Sequence, residues 1–171
     1  MGTVIIVLYC FFLTFILFYS LSQFNLVVIY LARRKRRVDE VEITENELPI
    51  VTVQLPIYNE KYVILRLIDA VIAFDYPKEK LEIQVLDDSN DETVELVAQK
   101  VRGLQEKGHW IQHITRGNQT EFKAGALKYG MSKCSGEFIA IFDADFVPEP
   151  AFLRKTLGFF QNERVGVVQT R

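Results

Sequence analysis

Apolar and polar positions divide the chain into two parts of different character. From Gly2 to Ala32 no residue is charged, and residues 4–19 are almost entirely aliphatic or aromatic. About 20 apolar residues suffice for a helix to cross a bilayer, so this run predicts a membrane-spanning helix. A cleaved signal peptide fits less well, because the run is too long, lacks positive charge before it and is followed by no small-residue cleavage site.

From Pro49 onward, short apolar runs alternate with stretches of helical periodicity. Strands separated by helices of this length predict βαβ units, and hence an α/β fold with a mostly parallel, doubly wound sheet. We expect Pro56 to end the first strand. The predicted strands are 50–55, 81–86, 110–114, 137–142 and 165–169, and the predicted helices are 61–73, 92–107, 122–132 and 149–162.

The charge pattern supports three segments: a transmembrane helix over 1–32, a basic juxtamembrane segment and linker over 33–48, and the α/β domain over 49–171. Basic residues stay on the cytoplasmic side, so the cluster at 33–37 predicts a single-pass membrane protein with its N-terminus outside and its domain cytoplasmic. Anionic lipid headgroups are the expected partner of this cluster. The net charge of the chain is −2 although all of the residues at 33–37 are basic, so the rest of the chain is acidic. An acidic domain argues against nucleic-acid binding.

Three loops that follow predicted strands carry polar chemistry: Tyr58-Asn59-Glu60, Asp87-Asp88-Ser89 and Asp143-Ala144-Asp145. In a parallel sheet these loops lie along one edge, where open α/β sheets bind ligands. Carboxylates two residues apart on an extended strand point to the same side, and they repel each other unless a cation lies between them. The pattern predicts a site for Mg²⁺ or Mn²⁺ together with substrate phosphates.

Each loop also has a structural interpretation. Asp143 and Asp145 could form a solvated turn after a buried strand. Tyr58 could cover the sheet edge, and Asn59 or residues 87–89 could cap the following helix.

Two cations stand where a helix dipole disfavours them, since Arg116 and Lys123 precede or open a predicted helix. Bound phosphates facing Arg116 and Lys123 would account for cations at these positions. Exposure of the two side chains to solvent would account for them equally well. The two histidines, His109 and His113, match no ligand pattern and are interpreted as surface or strand residues.

Several nucleotide-handling classes are disfavoured by missing motifs. The patterns G-x-G-x-x-G and G-x-x-x-x-G-K-[ST] are absent after the first strand, which argues against a dinucleotide-binding dehydrogenase and a P-loop NTPase. A haloacid-dehalogenase-type phosphatase, with Asp143 as its nucleophile, is a weaker alternative. Such domains usually open with their Asp-x-Asp motif, whereas here three predicted strands precede it.

Four ordered motifs resemble those of family-2 glycosyltransferases, and most closely those of the cellulose-synthase-like branch with its glucomannan and mannan synthases. Residues 53–60 read VQLPIYNE, 84–93 QVLDDSNDET, 122–127 FKAGAL and 142–146 FDADF. The resemblance extends from Pro49 to the end, where VVQTR is similar to the strand that follows in those enzymes.

The resemblance implies a GT-A fold and inverting β-glycosyl transfer at a membrane, from a UDP- or GDP-sugar to a glycan acceptor, with other synthase subunits as candidate partners. It implies Mg²⁺ or Mn²⁺ on Asp143 and Asp145, the latter being the expected direct ligand. The residues that it implies for nucleotide-sugar binding are Tyr58, Glu60, Asp87, Asp88, Arg116, Lys123 and Asp143.

No general base is identified, because in this family the base and a Gln-x-x-Arg-Trp motif follow at positions expected beyond Arg171. We therefore expect the donor-binding half of a synthase with its anchor. One alternative is a non-catalytic membrane module that binds a nucleotide-sugar or a partner synthase. A dolichyl-phosphate sugar transferase is less favoured, because the 122–125 stretch and the preceding apolar helix resemble the polymerising branch more.

Overall fold

The computed structural model describes residues 1–33, 43–117 and 120–170, with Arg33 and Asn46 described by their backbone alone. The chain divides into two compact units, Met1–Asp39 and Glu40–Arg171. The first unit contains helix α1, Gly2–Arg33, whose side chains over Gly2–Ala32 are mostly apolar and exposed all round. Its 31-residue span Gly2–Ala32 is long and apolar enough to cross a membrane. The predicted basic cluster lies mostly outside the described residues.

The second unit is built on a four-stranded parallel sheet in the order β3-β2-β1-β4. Its strands are β1 Val51–Ile57, β2 Leu81–Asp87, β3 Ile111–Thr115 and β4 Phe138–Ile141. The two central strands are buried along their whole length, as expected where helices cover both faces of a parallel sheet. The predicted doubly wound α/β fold is confirmed.

The helices cover the two faces unequally. Helices α2 Ile64–Ile72, α3 Thr93–Gln105 and α5 Phe152–Leu157 contribute to the main apolar core with the odd-numbered positions of β1 and β2. Helix α4, Phe122–Met131, packs on the even-numbered positions through small residues, with Ala126 in a smaller cluster beside Leu86 and Ile114.

The even-numbered positions under α4 form a buried set of polar side chains, here called the polar ladder: Thr52, Gln54, Glu82 and Gln84. The Thr52 hydroxyl lies 2.6 Å from Oε2 of Glu82, and Nε2 of Gln54 lies 3.1 Å from Oε1 of Gln84. A Cβ on Gly130 would lie 2.6 Å from Nε2 of Gln54. Only a residue without a side chain therefore lets α4 approach the ladder this closely.

The ladder also fixes the chain that leads into β4. The Ser135 N–H donates to Oε2 of Glu82 at 2.7 Å, and the Gly136 N–H donates to the Thr52 hydroxyl at 2.9 Å. These bonds satisfy groups that would be costly to bury unpaired. They also set where β4 begins, and hence where Asp143 and Asp145 emerge from the sheet.

Several predicted boundaries are wrong. Pro56 lies inside β1 instead of ending it. An N–H at this position would point toward β4, but the pairing with β4 has already ended there, and Phe142, just past β4, donates its N–H to the Gln54 carbonyl. Proline is tolerated where no ladder hydrogen bond is needed. Residues 165–169 form no strand, since no described segment pairs with them. The helix predicted over 149–162 is shorter, α5 followed by the 3₁₀ turn Gly158–Gln161.

Candidate functional site

The loops after β1, β2 and β4 meet at the carboxyl edge of the sheet around a cavity of about 710 Å³, here called the edge cavity. Its position matches the edge at which open α/β sheets bind ligands. The lining residues are Pro56, Ile57, Tyr58, Glu60, Asp88, Phe122, Lys123, Ala126, Asp143, Ala144 and Asp145.

Asn59 joins the first two loops rather than capping a helix. Its backbone adopts the left-handed region, with φ of 57°, which asparagine tolerates better than most residues. Its N–H donates to the Ser89 hydroxyl at 2.9 Å, its Nδ2 donates to Oδ1 of Asn90 at 3.0 Å, and its Oδ1 accepts from the Asn90 N–H at 3.0 Å. This pairing holds Tyr58 and Glu60 beside the loop that carries Asp88.

Asp87 and Asp88 are separated by the alternation of the strand, and the structure does not bring Asp87 into the edge cavity. Asp87 is only 2% exposed. Its carboxylate accepts from the Ser89 N–H at 2.9 Å and lies 2.8 Å from Nε2 of His113. Burial raises the pKa of Asp87, but the hydrogen bonds from His113 and Ser89 outweigh it and hold that pKa below its usual value. Asp87 therefore stabilises the loop after β2 but does not line the edge cavity.

Asp88 faces the edge cavity and is held by Arg116. Nε of Arg116 donates to Oδ1 of Asp88 at 2.9 Å, and Nη2 contacts Oδ2. Both side chains are about nine-tenths buried, and the hydrogen bond with Asp88 raises the pKa of the Arg116 guanidinium. Arg116 itself lines a neighbouring cavity of about 500 Å³, so it orients Asp88 rather than lining the edge cavity.

Asp143 and Asp145 both line the edge cavity, but on a turn rather than on an extended strand. β4 ends at Ile141, and the Phe146 N–H donates to the Asp143 carbonyl at 3.0 Å. Lys123, in the first turn of α4, places its ammonium on Oδ1 of Asp143. This carboxylate thus already accommodates a cation, and carboxylate oxygens are the ligands that Mg²⁺ and Mn²⁺ prefer.

Within the described residues, no group of three or more His, Cys, Asp or Glu side chains is placed to hold a metal ion. A divalent ion on Asp143 and Asp145 would need further ligands, such as a bound phosphate and water. Mg²⁺ is usually held in this way, by one or two carboxylates together with substrate phosphates.

Sequence reasoning missed two residues of this region. His113 on β3 and Asp87 on the neighbouring β2 lie on the same face of the sheet. This proximity can be recognised only when the strand order is known. Phe122 stands in the 122–127 motif at the start of a predicted helix with no role assigned to it, although it lines the edge cavity and is 80% exposed.

Residues 52–171 match the family described as Glycosyl transferase family 2. The chain belongs to this family. It is 36% identical to the probable glucomannan 4-beta-mannosyltransferase 15 of Arabidopsis thaliana over 97% of this chain and 34% of that protein. It is 46% identical to the probable glucomannan 4-beta-mannosyltransferase 7 of Oryza sativa subsp. japonica over 73% of this chain and 22% of that protein. The predicted family and its cellulose-synthase-like glucomannan branch are confirmed, and the chain spans about a third or less of these relatives' length.

Solved structures support the same fold. The mannosyltransferase PcManGT from Pyrobaculum calidifontis, in complex with GDP-Man and Mn²⁺, superposes with a TM-score of 0.70 at 27% identity, covering 86% of this chain and 43% of that one. TarS from S. aureus shares the fold at a TM-score of 0.57 and 19% identity, over 71% of this chain and 23% of TarS.

Proposed function

We propose that this chain is the donor-binding part of a membrane-anchored, inverting β-mannosyltransferase of the glucomannan-synthase type, with a GDP-sugar as its preferred donor. The observation that carries the proposal is the edge cavity, which has Asp88 from the loop after β2 toward one end and Asp143 and Asp145 from the loop after β4 toward the other, with Tyr58 from the loop after β1 between them. A nucleoside diphosphate needs this division, because a flat polar base and a charged diphosphate require different partners. The GDP-Man and Mn²⁺ of PcManGT support the choice of donor and ion.

In this proposal the two ends of the cavity bind different parts of the donor. Tyr58 and Glu60 border the base, and Asp88 accepts hydrogen bonds from the base or ribose. At the other end Asp143 and Asp145 hold Mn²⁺ or Mg²⁺, which when bound neutralises the departing diphosphate.

Lys123 contributes a cation at the diphosphate end. Its ammonium contacts the Asp143 carboxylate. It therefore lies within reach of a diphosphate bound beside that carboxylate. A positive charge beside developing negative charge favours departure of the nucleotide. The acceptor-side groups, including the general base expected beyond Arg171, stay predictions.

Calorimetry on the full chain in detergent micelles tests this function. We expect GDP to bind with measurable heat in the presence of Mn²⁺, and more weakly when the ion is chelated. Titration of UDP under the same conditions tests the preference for GDP. Absence of binding by both nucleotides would refute the proposal.

We also propose that α1 spans the membrane with the N-terminus outside and the domain in the cytoplasm. The helix is exposed and apolar all round, and the basic cluster follows it in the sequence. Cys134 lies in the domain and is partly exposed. A membrane-impermeant maleimide should label Cys134 only after cells are permeabilised, and labelling of Cys134, as distinct from Cys10, in intact cells would contradict this orientation.

A further inference from the structure

Phe122 is exposed on a strained backbone at the start of α4. Its φ is 44°, and that of Glu121 before it is 62°. A bulky side chain in the left-handed region is a real outlier, and its 80% exposure means that packing in the domain does not explain it. Strain of this kind persists where the surrounding structure imposes it, and it clusters at ligand sites.

Arg116 imposes this conformation. Nη2 of Arg116 donates to the Phe122 carbonyl at 3.0 Å, and Nη1 donates to the Thr120 carbonyl at 3.1 Å. The same guanidinium is paired with the Asp88 carboxylate. A Cβ on Gly125 would lie 2.2 Å from the Thr120 carbonyl oxygen and 2.5 Å from Nη1 of Arg116, so the close approach requires glycine there.

This arrangement connects Phe122, which lines the edge cavity, to both ends of that cavity. Phe122 is tied through Arg116 to Asp88 at one end, and the next residue, Lys123, contacts Asp143 at the other. Phe122 and Tyr58 are the aromatic side chains that line the cavity, exposed by 80% and 52%. An exposed aromatic ring on a constrained backbone suits a flat π-ligand, because the backbone that carries the ring is already ordered before binding.

We infer that Phe122 is a stacking platform for the nucleobase of the donor, held in place by Arg116. The inference rests on the proposed function for the presence of a nucleotide. Stacking uses the π-face that every base has, so the platform serves guanine and uracil alike, with the larger overlap for guanine. Selection between the bases then falls to the polar groups around Asp88.

Calorimetry with two ligands isolates the base. In the full chain in detergent with Mn²⁺, we expect Phe122→Ala to weaken GDP binding about five- to hundredfold, the range for loss of one base–aromatic stack. Pyrophosphate, which has no base, should bind within about twofold of wild type on the same reasoning. Phe122→Leu should behave like alanine, because it keeps apolar bulk and loses the ring, whereas Phe122→Trp should restore GDP affinity.

Tyr62 supplies the matched control, since it is 88% exposed and does not line the edge cavity; Tyr62→Ala should leave both affinities unchanged. The tryptophan of Phe122→Trp also gives a spectroscopic readout, with fluorescence quenched by GDP and not by pyrophosphate. Equal losses for GDP and pyrophosphate in Phe122→Ala, or no loss for either, would overturn the platform. If wild type binds pyrophosphate with Mn²⁺ but neither GDP nor UDP, the proposed function fails and the platform with it.

Discussion

Replacing Gly130 with alanine tests how α4 packs on the polar ladder. The added Cβ would lie 2.6 Å from Nε2 of Gln54 and 2.9 Å from Oε1 of Gln84, so the bond between these two amides must stretch or break. Over-packing costs about 1–3 kcal/mol and loss of a buried hydrogen bond about 1 kcal/mol, while the helix propensity of alanine contributes about 1 kcal/mol in the other direction. We expect Gly130→Ala to lower the free energy of unfolding by about 1–3 kcal/mol.

Gly103 provides the same chemical change with the opposite expected sign. It lies in α3, and a Cβ built there meets no atom within 4 Å. Gly103→Ala should therefore raise the free energy of unfolding by about 0.5–1 kcal/mol, since only backbone entropy and helix propensity change.

Urea unfolding followed by tryptophan fluorescence measures both variants in detergent. Trp110 is the single tryptophan of the chain, and its carbonyl accepts from the Ile83 N–H at 2.8 Å beside the sheet, so the signal reports the α/β domain and not α1. With a slope of about 2 kcal/mol per molar urea, the Gly130→Ala midpoint should fall by about 0.5–1.5 M. A Gly130→Ala midpoint at or above that of Gly103→Ala would refute the packing of α4 on the ladder.

Three further predictions concern charge. The pKa of Asp87 lies below its usual 3.8. Its contribution to stability is therefore present above about pH 4 and is lost as the pH falls through the lowered value. In His113→Leu the urea midpoint should fall less steeply with pH over this acid range, called the acid limb. Burial raises the pKa of Tyr76 to about 12, so its contribution is present below pH 10 and lost as the pH rises toward 12, and Tyr76→Phe should remove that alkaline limb. Lys123→Met should strengthen the binding of Mn²⁺ alone by up to about fivefold, the scale of an exposed ion pair on Asp143, and weaken GDP binding.

Each of these predictions has a contradicting result. An acid limb of equal steepness in wild type and His113→Leu would show that the contact with Asp87 does not set its pKa. A wild-type midpoint that stays constant from pH 9 to pH 12 would exclude the raised pKa of Tyr76. Parallel changes in Mn²⁺ and GDP affinity for Lys123→Met would show that the ammonium does not both compete with the ion for Asp143 and favour the bound nucleotide.

The positions of most elements were predictable because apolar periodicity determines which residues can be buried. The two central strands differ from their predicted bounds by at most two residues, since their odd-numbered positions are apolar and face the main core. The burial of the polar ladder between those positions was not signalled by the apolar pattern. The strand predicted over 165–169 is the instructive failure. A strand needs a partner for its backbone hydrogen bonds as well as suitable side chains, and sequence pattern reports only the second.

The candidate site was predictable to the level of its loops but not of its contacts. Strand-end positions identified Tyr58, Asp88, Asp143 and Asp145, all of which line the edge cavity. Adjacent strand residues face opposite sides, which separates Asp87 from Asp88. The backbone strain at Phe122 arises from hydrogen bonds to Arg116, and no local residue pattern signals it.

The measurement that tests the central claim most directly is the dependence of GDP affinity on Mn²⁺ in Asp145→Asn. In wild type, Mn²⁺ should strengthen GDP binding at least tenfold, about the loss seen when a metal site is disturbed. Glu163→Gln, which removes an exposed carboxylate outside the edge cavity, should keep this enhancement. We predict that Asp145→Asn loses it while still unfolding at the wild-type urea midpoint. An undiminished enhancement in Asp145→Asn would contradict the assignment of Asp143 and Asp145 as the metal-holding end of a nucleotide-sugar site.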